Sequence, residues 1–341
     1  MIQSRQNATG QTGQRQAPRL PRHLVLFILQ SNDERFQCGP SPDMNIITKI
    51  AHQVREWINQ PVINRLLEHT PPDAAAQLQL KLVYQQFATS GAALPPLNEV
   101  GFKAFSQTDE DGILLFIFSV LGTTNKKSVE ICAGNGMECN TANLIIHHGW
   151  TGLLADGNPD QIRKATRFYQ THGSTFVYPP TFVCSWITRD NVNELLRANG
   201  FEGEIDLLSL DLDGMDYWIW QALEVVRPRV VVLEYQDIIG PEKALAVPYA
   251  DDFNAYKYPT TEGMPNFCGA SLAAFTKLAQ RKGYRLIGCN RYGFNAFFVR
   301  NDLGRKELPE IPISDCFQHP KVAWGIKHRW PLVKDLPWVE V

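Results

Sequence analysis

The feature that most constrains the fold is a series of seven short apolar segments: Ser128 to Cys132, Gly152 to Ala155, Thr181 to Trp186, Asp206 to Leu210, Val230 to Glu234, Arg285 to Cys289 and Ala296 to Arg300. They alternate with helix-length stretches, which is the pattern of a parallel sheet buried on both faces by crossover helices. The last pair departs from it. Only Asn290-Arg291-Tyr292-Gly293 separates these two segments, too few residues for a crossover helix, so they are expected to pair antiparallel.

The flanking sequence is of two kinds. Residues 1–22 contain Gln, Arg, Gly, Ser and Thr and no acidic residue, and cannot bury enough apolar surface to order themselves. A mitochondrial presequence has a similar composition, but a disordered tail is the preferred reading. Between Asn45 and Phe87 the apolar residues recur at helical spacing (Ile46, Ile47, Ile50, Val54, Trp57 and Ile58, then Leu78, Leu80, Leu82 and Val83), broken at Thr70-Pro71-Pro72. The expected organisation is a tail over 1–22, an N-terminal helical extension over 23–104, a sheet domain over 105–303 and a C-terminal wrapping tail over 304–341. The fold expected is α/β: a Rossmann-like seven-stranded doubly wound sheet with a C-terminal antiparallel hairpin, plus the helical extension.

Composition narrows the partners. Of 341 residues, 44% are hydrophobic and 20% charged, the balance of a soluble globular chain. A formal net charge of -2 offers no electrostatic footprint for nucleic acid or an anionic membrane, so a small-molecule substrate is expected. Seven cysteines, odd in number, scattered and never spaced C-x-x-C, imply reduced thiols in a cytoplasmic protein rather than a disulfide frame or zinc site. The apolar run Leu24 to Leu29 has about a third of the ~20 residues a membrane span needs. A homo-oligomer is compatible with the sequence but not required by it.

Three local patterns point to chemistry. Val129-Glu130-Ile131-Cys132-Ala133-Gly134-Asn135-Gly136 is an apolar strand entering a Gly-x-Gly turn, followed by a helical stretch from Glu138 to His147. Glycines there let a ligand approach the backbone and face helix amides, although the same turn also serves purely structural ends. The third glycine of the dinucleotide fingerprint is missing, because Cys139 occupies its place. The next strand ends in Asp156, about twenty residues past the glycines, where a carboxylate accepts from ribose hydroxyls; capping of the helix after Asn158-Pro159 is the alternative. Third, Asp206 to Leu210 runs into Asp211, Asp213 and Asp216, with Glu234 ending the following strand. Carboxylates at strand ends face the cleft of an open sheet. Asp211, Asp213 and Glu234 are candidates to act as a general base, to orient a ligand's ammonium group, or to hold a divalent cation such as Mg²⁺. Capping of the helix beginning near Asp216 is the alternative. His147 and His148 are expected to be packed or solvated.

This ordered set resembles the FkbM-type branch of class I S-adenosylmethionine-dependent methyltransferases, whose sheets also end in an antiparallel hairpin. The matching strings are Phe105-Ser106-Gln107 with Glu110-Asp111-Gly112, VEICAGNG, GLLADGNPD, IDLLSLDLDGMDYWIW, VVVLEYQ, GASLAAFTKLAQRKGYRLIGCN and NAFFVR. The resemblance implies S-adenosylmethionine as cofactor, contacts to it from Glu130, Gly134, Gly136 and Asp156, and a cleft lined by Asp211, Asp213 and Glu234. It further implies that Gln107 and Glu110 close over the cofactor and that Ser185 and Trp186 flank the adenine. Cys132 and Ala133 depart from the glycine-rich opening of the motif and make the turn bulkier. The stretch from Gln236 to Phe267 lies where such folds place substrate loops. The expected reaction is O-methylation of a sugar or other secondary metabolite; a nicotinamide-dependent oxidoreductase and a binding protein that has lost catalysis are the competing readings.

Overall fold

A computed structural model describes residues 74–341. The tail over 1–22 and the helical spacing from Ile46 to Ile58 lie outside them. In chain order the regular elements are α1 (Ala74–Ser90), α2 (Leu97–Val100), α3 (Glu110–Leu121), β1 (Lys127–Ile131), α4 (Ala142–His148), β2 (Thr151–Asp156), α5 (Pro159–Thr171) and β3 (Thr181–Cys184). There follow α6 (Val192–Ala198), β4 (Gly203–Leu210), α7 (Asp216–Ala222), β5 (Val226–Glu234), β6 (Leu245–Ala246), β7 (Thr260–Thr261), β8 (Met264–Pro265), α8 (Leu272–Lys282), β9 (Tyr284–Cys289), β10 (Asn295–Arg300), α9 (Pro320–His328) and β11 (Val339–Glu340).

All seven apolar segments are strands of one sheet, ordered β3-β2-β1-β4-β5-β10-β9. β1 to β5 run parallel, and β10 lies antiparallel between β5 and β9. The register on β10 pairs Ala296 with Cys289 and with Leu233. The order reverses between β1 and β4, and ligands of open α/β sheets bind beyond the carboxyl ends of strands at such a point.

Both faces of the sheet are buried, which explains why the strands read as unbroken apolar runs. Along β5, Val231 and Leu233 join the core on one face and Val230 and Val232 the core on the other. The first core is closed by α6, α7 and α8 through residues such as Val192, Leu196, Trp220, Phe275 and Leu278. The second is closed by α3, α4 and α5 through Ile113, Ile117, Leu144, Phe168 and Tyr169.

The extension is helical from Ala74 to Ser90, and the leucines of this helix lie outside the core. Leu78, Leu80, Leu82 and Val83 face solvent, and α1 docks through Tyr84, edge-on to Phe116, and Gln77, hydrogen-bonded to Asn143 and His148. A polar network thus substitutes for an apolar seam. Tyr84, Leu97 and Val100 belong to the same core as α3, while Cys316 and Val333 of the tail join the opposite one, so both flanking segments pack into the sheet domain. β11 pairs with β6, tying the last residues to the insertion after β5. No helix among the described residues is long and apolar enough to cross a membrane.

Candidate functional site

The cleft lies at the carboxyl ends of β1, β2, β4 and β5. At the end of β1 the chain turns sharply, with Cys132, Gly134 and Gly136 all at positive φ (63°, 54° and 68°). A non-glycine residue held there costs on the order of 1–2 kcal/mol, so Cys132 is a strained position on the cavity wall. Its thiol is exposed to the cleft yet is pushed up in pKa, first by desolvation and then by the carboxylates of Asp216, Asp156, Asp211 and Asp213. It is no thiolate nucleophile.

The two glycines do different things. A side chain on Gly134 would meet nothing within 4 Å, because the position opens onto the cavity. A side chain on Gly136 would meet Ala165 at 3.0 Å and Tyr169 at 3.1 Å, and its carbonyl accepts the Tyr169 hydroxyl at 2.7 Å. Gly134 therefore leaves its backbone open to the cavity, while Gly136 seats the turn on α5.

Glu130 is displaced from the role the resemblance implied. Its carboxylate is buried and accepts from Asn140 N and Thr141 N at 2.8 Å each, from the Thr141 hydroxyl and from Ser209 Oγ at 3.3 Å. It braces the start of α4, and it also explains why that helix begins at Ala142 rather than Glu138: Glu130 holds the preceding residues in a turn. Glu110 is likewise consumed internally, accepting from Thr108 N and Oγ1, Asn290 Nδ2 and Asn295 Nδ2, and so clamps the segment before α3 to the terminal hairpin. Its neighbour Asp111 gathers the amides of Ala104, Phe105 and Ser106 at 2.6–2.7 Å. The Glu-Asp-Gly string is scaffolding for residues 104–108, of which Gln107 and Thr108 line the cleft.

Asp156 ends β2 and does not cap the next helix; Asn158 does so, accepting from Asp160 N. One Asp156 oxygen accepts from Gly134 N at 3.0 Å and the other from Asn158 N at 2.7 Å. The carboxylate is held rigidly, half-buried, in the wall of an open cavity of about 1130 Å³ whose lining also includes Cys132, Gly134, Trp186, Asp211 and Asp213. Behind it Ser185, Trp186, Ile187, Leu212, Met215 and Phe253 form a slot of about 70 Å³. Trp186 donates from Nε1 to Asp251 O at 2.6 Å, joining the end of β3 to the insertion.

Asp211, Asp213 and Glu234 converge, with one oxygen from each lying within 4.8 Å of the others. The convergence arises beyond the end of the strand. β4 ends at Leu210, and Asp213 reaches the cluster through a left-handed turn with φ 51°. Asp216 holds that turn, accepting from Leu212 N at 2.8 Å and Gly214 N at 3.2 Å, while α7 has no side-chain cap. Desolvation, reinforced by the charge of Asp216, pushes the Asp211 carboxyl up to about 7. Burial and the charge of Asp211 push Glu234 well above the ordinary range. Asp216 itself is raised to about 6 by desolvation.

A second lobe of about 440 Å³ shares Asp213 and Tyr256 with the first cavity and is lined by Gln107, Glu234, Asp237, Lys321 and Arg329 among others. The insertion after β5 supplies Asp237 and Tyr256, as its length promised. Lys321 and Arg329 come from the C-terminal segment, which the sequence marked only as a wrapping tail. His148 lies elsewhere, 2.7 Å from Gln77 Oε1, with its pKa lowered to about 4 by burial, and it takes no part in the cleft.

No family model and no curated protein sequence matches the chain. Solved structures similar to it include the N-terminal domain of EvdMO1 with SAH bound (14% identity, 63% of this chain and 93% of that one, TM-score 0.38). Others are a magnesium protoporphyrin IX methyltransferase from Synechocystis PCC 6803 with bound SAH (12%, 71% and 99%, 0.32) and an arsenic(III) S-adenosylmethionine methyltransferase from Chlamydomonas reinhardtii (15%, 52% and 62%, 0.33). These likenesses are distant, and the reading that follows is carried by the cleft's own residues.

Proposed function

We propose that the chain is a methyltransferase that uses S-adenosylmethionine to methylate a hydroxyl of a small molecule such as a sugar or other metabolite. The observation that carries the reading is the rigid pairing of Asp156 with Gly134 N at the switch point of the sheet, flanked by the Trp186 slot and by the Asp211–Asp213–Glu234 cluster. The residues fit the cofactor. Asp156 keeps lone pairs for ribose hydroxyls, Gly134 leaves room for the backbone to be approached, and the apolar slot suits a purine. When bound, the cofactor supplies an electrophilic methyl group.

The chain's own part is to position and to move a proton. The second lobe holds the acceptor with its hydroxyl toward the carboxylate cluster, and catalysis comes chiefly from proximity. The Asp211–Glu234 pair, with a carboxyl raised to about 7, is poised to take the hydroxyl proton near neutral pH. The same three carboxylates are the oxygen set a hard divalent cation such as Mg²⁺ takes. Loss of turnover in EDTA, restored by Mg²⁺, would establish the cation; indifference to EDTA would leave the base.

Calorimetry with adenosylhomocysteine and with NAD tests the cofactor reading. Adenosylhomocysteine is expected to bind and NAD is not; the reverse result, or binding of neither, overturns the proposal.

A further inference from the structure

The second lobe contains a charge arrangement that methyl transfer as described above does not use. Asp237 follows β5 in a 3-10 turn, is 3% exposed, and its Oδ2 accepts no hydrogen bond. Two cations stand near it, both from the C-terminal segment: Lys321 Nζ is 3.6 Å from Oδ2 and Arg329 Nη1 is 3.9 Å from Oδ1. Both separations exceed hydrogen-bond length.

Neither cation is placed there by chance packing. Arg329 is buried, and its Nε and Nη2 are committed to Asn266 Oδ1 and Pro265 O at 2.8 Å each, which fixes the guanidinium plane and leaves Nη1 without a hydrogen bond among the described residues. Lys321 stands 4.8 Å over the Phe294 ring. Three ammonium N–H groups and the two on Nη1 thus surround a single carboxylate, with two positive charges against one. Donors in excess, a local positive surplus and a fixed guanidinium are complemented by an acceptor-rich anion, a carboxylate or a phosphate. The same lobe is also lined by the carboxylates of Asp213, Asp216 and Glu234.

We propose that the acceptor is itself an anion, a hydroxylated carboxylate or a sugar phosphate, whose charged group binds between Lys321 and Arg329 while its hydroxyl faces the carboxylates of Asp213 and Glu234 in the same lobe. The inference rests on the reading of this lobe as the acceptor site. Anion binding there is nonetheless measurable without turnover.

The test is calorimetric titration of the full chain with D-glucose 6-phosphate, D-glucuronate, inorganic phosphate and neutral methyl glucoside, with and without adenosylhomocysteine. The sugar anions are expected to bind at least about tenfold more tightly than the glucoside, and their order decides between phosphate and carboxylate. Lys321→Met should weaken anion binding about tenfold or more, the scale of one charge-assisted hydrogen bond, with adenosylhomocysteine affinity unchanged. Asp237→Asn should tighten it, because removing the negative charge leaves both cations uncompensated, an outcome a merely structural role would not give. Because Arg329 also holds Pro265 and Asn266, these two variants carry the test, with melting curves reporting their folding. Equal binding of the glucoside, no binding of any anion at tens of millimolar, no effect of Lys321→Met, or weakening by Asp237→Asn overturns the proposal. Failure of adenosylhomocysteine to bind while the anions do overturns the methyl-transfer reading alone.

Discussion

Replacing Asp211 by Asn is expected to make the protein more stable. Desolvation and then the charge of Asp216 raise its carboxyl from 3.8 to about 7, against a lowering from the bond it shares with Glu234. Because the folded-state value lies above the unfolded one, the stability linked to this group is fully present below about 3.8 and is lost as pH rises through about 7. At face value the rise corresponds to a cost of about 4 kcal/mol at pH 8. The cleft is open to water and screening reduces this, so a relief of about 1–2 kcal/mol is the expectation for a side chain that cannot ionise. That amounts to roughly 2–8 °C in Tm for a domain of this size. Melting curves in EDTA at pH 8 and pH 5 read it, and the gain should fall by half or more at pH 5. A lower Tm at pH 8, or the same gain at both pH values, would refute the argument that this carboxylate is held against its own preference.

Five further outcomes follow from particular contacts. Asp156→Ala should weaken adenosylhomocysteine binding by about 1.5–3 kcal/mol in calorimetry, the size of lost hydrogen bonds to a charged group. Gly134→Val should abolish that binding while the domain stays folded, whereas Gly136→Ala, which meets Ala165 and Tyr169, should lower Tm by the equivalent of about 1–3 kcal/mol. Glu130→Gln should cost about 1–3 kcal/mol in denaturant unfolding, because one side-chain oxygen cannot receive the donors now shared by two. Arg229→Met, which strips the buried Asp206 carboxylate of its 2.8 Å ion-pair partner, should cost about 3–5 kcal/mol by the same assay.

The sheet was legible because its strands are buried on both faces, and burial writes itself into the sequence as unbroken apolar runs. The short turn at Asn290 to Gly293 carried the antiparallel hairpin for a similarly local reason. Chain separation hid the rest. Glu110 could be read only as an acidic residue before the sheet, since its partners Asn290 and Asn295 lie 180 and 185 residues away. The leucines of α1 have helical spacing whichever way they face, and the docking face is set instead by Gln77 and its partners 66 and 71 residues on. Asp211 and Asp213 were readable as cleft carboxylates at a strand end; the left-handed turn at Asp213 that brings them together is held by Asp216, whose alternative reading was a helix cap.

The same cause accounts for what the cleft's carboxylates do. An acidic side chain next to a glycine turn has two physically distinct fates, which sequence spacing does not separate. Where donors of the chain surround it, as around Glu130 and Asp111, the carboxylate is spent on holding a loop and is unavailable to a ligand. Where other carboxylates surround it, as around Asp211 and Glu234, the folded chain leaves the charge unmet, and burial with like charge raises both carboxyls toward the protonated form. The second fate is a cost to folding, and a site that retains such a cost is poised to be relieved by whatever binds: a proton acceptor role, a cation or a donor group of the substrate each removes it. Asp237, among the described residues a buried carboxylate whose open oxygen stands beside cations rather than acids, belongs to neither fate, and for that reason it marks where the charged group of an incoming anion would be met by Lys321 and Arg329.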